Sequence, residues 1–197
     1  LVGLSYFSLD VVLAQDGSLV SSQESDSLTD SGSLSDNKWV SAVGDTLYLA
    51  QTDEQGNVNG LLQMQLDGSN GAKKKEVLPF SQDSYSSAYF SVLGDGTVYA
   101  ADADGFFRCD AGDTNWQKLL QGIDTGFSLS DQWCRDIVAL SDGSVYAWFG
   151  SESGDKIMIY RYDPDAVTEV TEELTLYTVE ESFFLQQAAV QYHKQHP

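Results

Sequence analysis

The sequence predicts an all-β protein, a β-propeller-like array of four-stranded antiparallel blades, from three observations. A seven-residue pattern occurs at residues 44–50, 95–101 and 142–148, with intervals of 51 and 47 residues between copies. Each copy carries an Asp/Gly pair beside an apolar run, which is typical of a tight hairpin turn because glycine accepts the positive φ such a turn needs. Two further strand-like runs follow each hairpin. Four antiparallel strands recurring about every 50 residues indicate propeller blades.

The N-terminal part of the chain predicts a hairpin followed by a loop. Asp16-Gly17 is a weaker copy of the turn and follows the apolar run at 11–13, so residues 5–21 predict one hairpin. The stretch from residue 21 to residue 37 is rich in Ser and Asp and has few apolar residues. It therefore predicts a solvated loop.

Residues 38–172 predict three full blades. In each blade the first two strands flank the Asp/Gly turn, the third ends at an acidic turn, and the fourth completes the sheet. The third strands are predicted at 61–66, 106–109 and 157–162, and the fourth strands at 75–78, 116–120 and 167–170. A closed propeller needs at least about four blades. The sequence therefore leaves open whether the first blade is degenerate or whether further blades belong to the ring.

The pattern changes after residue 173. Residues 174–179 predict a strand, and residues 180–195 contain neither Gly nor Pro. The apolar residues of the second stretch fall at helical spacing: Phe184, Leu185, Ala188, Ala189 and Tyr192. A strand followed directly by an amphipathic helix is the opening of an α/β unit. We therefore expect a β-propeller-like repeat domain at 1–172 and the truncated start of an α/β domain at 173–197.

This C-terminal segment, LTLYTVEESFFLQQAAVQYHKQHP, resembles the first strand and helix of an extracellular solute-binding protein, the substrate-capturing lipoprotein of a bacterial ABC importer. The resemblance covers 24 of 197 residues. It implies a two-lobed ligand-binding domain downstream and a location outside the cell, anchored at the bacterial surface. Residues 96–102, GTVYAAD, also resemble the repeat of quinoprotein-like propellers, and this second resemblance supports the fold only.

The composition excludes several classes of partner. The chain has 10 Lys and Arg against 30 Asp and Glu, a formal charge of −20, and such an acid excess repels nucleic acid and anionic lipid. No apolar run approaches the roughly 20 residues of a membrane span. The chain begins without Met and ends directly after a helix-like run, so we expect a fragment of a longer polypeptide.

Five residues are candidates for ligand binding: Asp10, Asp136, Trp39, Trp133 and Trp148. The two aspartates each stand six residues before the Asp of a turn, so we expect them at equivalent places near a propeller axis, where they could bind a cation or a polar ligand. Hydrated side chains are the alternative. The tryptophans begin or end inner strands, where aromatic side chains commonly pack between blades, and they could instead line a surface on which carbohydrate stacks.

The remaining reactive residues predict no catalytic site, no metal site and no cofactor. Cys109 and Cys134 read as separate buried thiols, with a disulfide as the alternative. Residues 102–105 have the Asp-x-Asp-Gly opening of a calcium loop, but a strand follows at once, so we expect an ordinary turn. His193 and His196 read as a solvated helix end.

We therefore expect a non-catalytic recognition or scaffold module of an extracellular solute-binding protein. Its partners would be a small molecule or an oligosaccharide and the downstream solute-binding domain. One alternative is a propeller enzyme that acts on glycans at one face of the blades. The other alternative is a structural spacer that holds the capture domain away from the membrane.

Overall fold

The computed structural model describes residues 2–4, 8–12, 19–24, 39–53, 57–66, 72–80, 88–127, 132–161 and 163, and also residues 185, 188–189 and 191–192. The described residues form fourteen β-strands arranged in four antiparallel sheets. The prediction of an all-β protein is therefore confirmed. Strand-forming Val, Ile, Tyr and Phe are frequent in these segments because they fit a pleated, half-buried surface.

The first sheet corrects the prediction for the N-terminus. It has three strands in the order β1-β2-β3: β1 (Val2–Leu4), β2 (Ser8–Val12) and β3 (Leu19–Glu24). The predicted hairpin corresponds to β2 and β3. The prediction missed β1, and it was wrong to read residues 21–24 as loop, because Ser22 and Gln23 pair with β2 despite their polar side chains.

The second and third sheets have the four strands that the repeat predicts. The second sheet contains β4 (Val40–Val43), β5 (Thr46–Thr52), β6 (Val58–Leu66) and β7 (Ala72–Pro79). The third sheet contains β8 (Tyr89–Val92), β9 (Val98–Asp102), β10 (Gly105–Cys109) and β11 (Gln117–Gln121). In both sheets the strands are neighbours in chain order.

The fourth sheet has three strands in the described part of the chain. They are β12 (Gln132–Ala139), β13 (Ser144–Ser151) and β14 (Lys156–Arg161). The predicted fourth strand at 167–170 lies outside the described residues. The count therefore differs from the predicted three full blades and a hairpin: two sheets are four-stranded and two are three-stranded.

The C-terminal segment is described at five residues only. The predicted strand at 174–179 lies outside the described residues, and so does the predicted domain boundary near residue 173. Within the predicted helix, residues 185, 188–189 and 191–192 have helical backbone. Among the residues that the structure describes, no helix is long and apolar enough to cross a membrane.

Two hairpin turns are built in the same way. In the β8–β9 turn the Gly96 N–H donates to the Leu93 carbonyl at 2.9 Å, and the Thr97 N–H donates to the Asp95 carboxylate at 2.9 Å. This bond from Thr97 holds the pKa of Asp95 below its usual range. The β12–β13 turn repeats the arrangement with the equivalent residues Leu140, Asp142, Gly143 and Ser144. Gly96 has a φ of 92°, which explains the glycine in the repeat.

The sheets pack face to face through apolar clusters. The cluster between the second and third sheets has these buried members: Tyr48, Ala50, Val58, Leu61, Leu78, Phe80, Ala88, Phe90, Val98, Ala100 and Cys109. The cluster between the third and fourth sheets has these: Tyr99, Ala101, Phe106, Cys134, Ile137, Ala139, Val145, Ala147 and Phe149. The third sheet is thus covered on both faces, and burial of this apolar area is the main stabilising contribution.

One tyrosine in each repeat faces the following sheet. The Tyr48 hydroxyl would lie 3.6 Å from a Cβ placed on Gly96, in the turn of the third sheet. The Tyr99 hydroxyl would lie 3.8 Å from a Cβ placed on Gly143, in the turn of the fourth sheet. Tyr146 is the equivalent residue of the fourth sheet. The sequence repeat therefore encodes a repeated contact between sheets as well as a repeated hairpin.

The first strands of successive sheets are neighbours. Strand β8 lies beside both β4 and β12. Two hydrogen bonds join β8 to β12: the Tyr89 hydroxyl donates to the Cys134 carbonyl at 2.7 Å, and the Ala139 N–H donates to the Ser91 hydroxyl at 2.9 Å. Successive sheets that meet along their first strands can be related by a rotation about a common axis and still pack face to face.

Gly105 provides a test of the packing between β10 and β11. Its φ is +142°, and a Cβ at this position would overlap the carbonyl oxygen of Leu120 on β11. We expect Gly105→Ala to lower the free energy of unfolding by about 3 kcal/mol in urea titrations. The control is Gly112→Ala, which has a φ of +78° and open space around it, and should cost about 1 kcal/mol. Equal losses for the two variants would contradict the close approach of the strands.

Candidate functional site

The fourth sheet has one apolar face that no described sheet covers, and we call it the outer face. Cross-strand register places its residues in rows: Trp133 pairs with Gly150, Trp148 with Ile157, and Tyr146 with Ile159. The exposed fractions are 48% for Trp133, 43% for Trp148 and 67% for Ile157. Clusters of this kind are uncommon on the surface of a monomeric protein and mark interaction sites.

Two tryptophans and one arginine form the centre of the outer face. The guanidinium carbon of Arg135 lies 5.8 Å from the ring centroid of Trp133 and 5.3 Å from that of Trp148. A strand irregularity between Cys134 and Asp136 lets Arg135 lie between the two rings. Gly150 completes the arrangement, because a Cβ there would lie 2.7 Å from the Trp133 indole nitrogen.

Two acids flank this aromatic group. Asp155 accepts a hydrogen bond from Arg135 at 3.4 Å, and both side chains are close to half exposed. Asp136 is exposed and pairs across the strands with Trp148, and its carboxylate accepts the Ile137 N–H at 2.9 Å. The surface thus offers flat aromatic rings, one cation and exposed carboxylates, which suit a protein surface or a carbohydrate.

The structure brings three of the five predicted site residues together and separates the other two. Trp133, Trp148 and Asp136 lie on the outer face. Trp39 instead packs against the cluster between the second and third sheets, with its ring centroid 5.5 Å from that of Phe90. Asp10 lies on the first sheet.

The sequence predicts that Asp10 and Asp136 occupy equivalent positions in the repeat. The strand order places them on strands with different positions in their sheets. Asp10 lies on β2, the middle strand of its sheet, and pairs with Gly3 on one side and Ser22 on the other. Asp136 lies on β12, an edge strand of the described fourth sheet. The spacing to the next Asp-Gly turn is equal in both cases, but a turn can follow any strand of a meander. Turn spacing alone therefore does not fix the position in the sheet.

Sequence reasoning missed Arg135, Ile157 and Ile159. The signal for Arg135 was its position two residues after Trp133, because residues i and i+2 of a strand share a face. The run Ile157-Met158-Ile159 carries no such signal. Its residues are all apolar, so the alternation that marks a solvent face is absent from the sequence.

A second, polar cleft lies between the turns of the second and third sheets. Its volume is about 270 Å³, and Tyr48, Gln63 and three aspartates line it. Asp110 is paired with Arg108 at 2.7 Å, and Asp113 accepts the N–H groups of Thr114 and Asn115. Two of the three aspartates that line the cleft, Asp110 and Asp113, therefore already have partners within a few residues of the chain. Among the residues described, no three His, Cys, Asp or Glu side chains are placed to hold a metal ion.

The residues with the most perturbed ionisation are buried. Burial raises the pKa of Asp102 to about 6, and the side chain is 1% exposed. One carboxylate oxygen accepts the N–H groups of Asp104 and Gly105, and the other has no hydrogen-bond partner. Residues 102–105 form the turn between β9 and β10, as the sequence predicts, rather than an open loop.

The two cysteines are both free and buried. Burial raises the pKa of Cys134 to about 12, and it also raises the pKa of Cys109. The prediction of two separate buried thiols is confirmed. A thiol becomes a nucleophile as thiolate, so both groups are poor nucleophiles in the folded chain.

Asp102 should give the fold a distinct pH dependence. Its pKa is raised above the ordinary value of 3.8, so the folded state holds this proton more tightly, and stability falls as the pH rises from about 4 to about 6. Asp102→Asn keeps an oxygen for the two backbone N–H groups and removes the titration. We expect the melting temperature of the variant, relative to the unchanged chain, to rise between pH 4 and pH 7. A difference that is constant over this range would contradict the raised pKa.

Sequence comparison gives this chain no family. No protein-family model matches it, and no curated protein matches it. The resemblance of residues 174–197 to an extracellular solute-binding protein therefore stays a prediction.

Proposed function

We propose that this chain is a propeller-type, non-catalytic recognition and scaffold module of an extracellular solute-binding protein. The propeller arrangement is supported by the contacts of β8 with β4 and β12, which bring the first strands of three sheets together. It is also supported by the two tyrosine contacts, Tyr48 with the turn at Gly96 and Tyr99 with the turn at Gly143. A ring of blades requires that the same contact is repeated from each sheet to the next.

The outer face of the fourth sheet is the observation on which the recognition role depends. Trp133, Trp148, Ile157 and Ile159 are exposed side by side on the face that the second and third sheets bury against their neighbours. Burial of such a face is worth about 25 cal/mol for each Å² of apolar surface. Large exposed aromatic residues beside an arginine are also the residues that contribute most to protein interfaces.

The non-catalytic role is supported by the placement of the reactive groups. The acid with a pKa raised to about 6, Asp102, is buried, and one of its oxygens is bound to backbone N–H groups of its own turn. The raised pKa values of Cys109 and Cys134 disfavour the thiolate at neutral pH. General acid–base or nucleophilic catalysis needs such groups within reach of a substrate.

A glycan is the second candidate for the outer face. Trp133 and Trp148 lie on either side of a cation, with Asp136 nearby, and this combination stacks on sugar rings and binds their hydroxyl groups. Val138 and Ile159 extend the face with further exposed apolar area, at 51% and 52% exposure. Because aliphatic side chains give a sugar little to bind, this extension favours a protein surface.

The assignment to a bacterial importer rests on the resemblance of residues 174–197 alone. It places the captured solute in a downstream two-lobed domain and places the sheets outside the cell, at the bacterial surface. The formal charge of −20 fits a surface that stays soluble and avoids anionic lipid. In this arrangement the sheets present a binding face and do not capture the solute.

A saccharide screen separates the two candidates for the outer face. We expect neutral oligosaccharides to leave the melting temperature and the tryptophan fluorescence of the chain unchanged, because a protein surface is the partner. A shift that disappears in Arg135→Ala but persists in the control Arg108→Ala, on the third sheet, would instead establish the glycan site. Arg108 is exposed to nearly the same degree as Arg135, which makes it a matched position.

Deletion tests the assignment to a solute-binding protein. In the longer polypeptide that the proposal implies, removal of residues 1–172 should leave thermal stabilisation by the transported solute unchanged, because that solute binds downstream. The measurement is thermal unfolding with and without solute panels of sugars, peptides and amino acids. Stabilisation that is lost on deletion would place the solute site in the sheets and contradict the proposal.

A further inference from the structure

The turn between β9 and β10 is organised by one buried carboxyl group. Asp102 is the last residue of β9 and is 1% exposed. Its Oδ1 atom accepts the Asp104 N–H at 2.8 Å and the Gly105 N–H at 3.2 Å. Its Oδ2 atom is buried and has no hydrogen-bond partner among the described residues. Ionisation of this group is costly in the folded chain, because Oδ2 has lost its water without gaining a donor.

The segment at residues 122–127, which we call the connecting segment, lies directly against this turn. It follows β11 and begins with a short 3-10 helix, Gly122–Asp124. The Gly122 N–H donates to the Asp104 carbonyl at 2.8 Å. A Cβ on Gly122 would overlap the Ala103 carbonyl oxygen. The turn and the connecting segment therefore touch through their backbones, so an outward movement of the turn has to displace the segment.

The connecting segment also contacts the fourth sheet. The side-chain amide of Gln132, at the start of β12, donates to the Gly126 carbonyl at 2.7 Å. The Gly126 N–H donates to the Tyr160 hydroxyl on β14 at 3.4 Å. The ring centroid of Phe127 lies 5.0 Å from that of Phe149 on β13. The segment thus joins the β9–β10 turn of the third sheet to all three described strands of the fourth sheet.

Burial, more than any charged neighbour, controls the proton on Asp102. Burial is the largest cause that raises its pKa to about 6; the charge of Asp104 also raises the pKa, and Lys118 on β11 lowers it. Strands β4, β5, β6 and β8 contain no charged residue. The charged residue of β10, Arg108, is paired with the acid of the next turn, and Asp124 of the connecting segment is exposed. The ionisation of Asp102 is therefore linked to the packing of the turn around it.

We propose that Asp102 is a pH-dependent switch that controls the connecting segment. With the carboxyl group protonated, the turn stays packed and the segment joins the third and fourth sheets. When the proton passes to the solvent, the charge on Oδ2 is hydrated only if the turn moves outward. That movement breaks the bond from Gly122 to Asp104 and opens the segment locally. This inference goes beyond the proposed function, because it concerns the junction of two sheets and not the partner of the outer face.

Hydrogen exchange of single backbone amides, followed by NMR between pH 5 and pH 7.5, tests the switch. In the open state the carboxyl group is hydrated and has its ordinary pKa of 3.8, so opening becomes more frequent as the pH rises toward about 6. We expect the protection factors of the Gly105 and Gly122 amides to fall about 10-fold over this range. Low concentrations of urea should leave these two amides unaffected, because the opening is local. Amides in the buried, paired part of β5 and β6 should lose protection with urea, because they exchange through global unfolding.

Two variants make the result specific to Asp102. Asp102→Asn keeps an oxygen for the two N–H groups and removes the titration, so the Gly122 amide should be equally protected at pH 5 and pH 7.5. Asp104→Asn removes the neighbouring charge that raises the pKa of Asp102, so the fall in protection over this range should be smaller than in the unchanged chain. This second variant tests the switch even where Asp102→Asn does not fold.

Three results would overturn the inference. The first is protection of the Gly122 amide that does not change with pH in the unchanged chain. The second is exchange of this amide that rises with urea as steeply as exchange in β5 and β6, because opening would then be global. The third is the same pH dependence in Asp102→Asn or in Asp104→Asn as in the unchanged chain.

Discussion

The contact between one tyrosine and the turn of the following sheet is the interaction on which the rest of the structure depends. Tyr48 reaches the turn at Gly96, and Tyr99 reaches the turn at Gly143. The glycine gives the turn its positive φ, and the tyrosine hydroxyl of the preceding sheet lies beside it. One pair of residues thus takes part both in the hairpin turn and in the contact between neighbouring sheets. The apolar clusters then fill the space that this contact defines.

Because the second, third and fourth sheets are apolar on both faces, the stack has to be covered at its ends. The second sheet buries Leu47, Leu49, Leu62 and Met64 on the face that points away from the third sheet. The fourth sheet leaves its outer face exposed, with Trp148 in place of a small residue. A repeat that propagates by face-to-face packing therefore produces a binding surface where it ends, without any change in fold. The recognition role that we propose rests on this property of the stack.

The sequence predicted the repeating part of the fold because the Asp/Gly turns and the strand runs are local signals. The strands from β4 to β14 follow the predicted order, and both Asp/Gly turns of the third and fourth sheets have the expected form. Strand β1 was missed because three residues carry too little pattern, and residues 21–24 were misread because their pairing to β2 outweighs their polar side chains. For the site, Trp133 and Trp148 were found from their residue type. Arg135 and the separation of Asp10 from Asp136 depend on pairing between strands, which spacing along the chain does not determine.

The most direct test of the account is acrylamide quenching of tryptophan fluorescence in the unchanged chain and in the double variant Trp133→Phe/Trp148→Phe. Trp133 and Trp148 are exposed on the outer face of a single chain, whereas Trp39 packs between sheets. If the outer face is uncovered, acrylamide quenches the unchanged chain strongly and the double variant much less, because the remaining Trp39 and Trp116 pack against a buried cluster. Equal quenching of the two proteins would contradict the central claim that the fourth sheet exposes an apolar face.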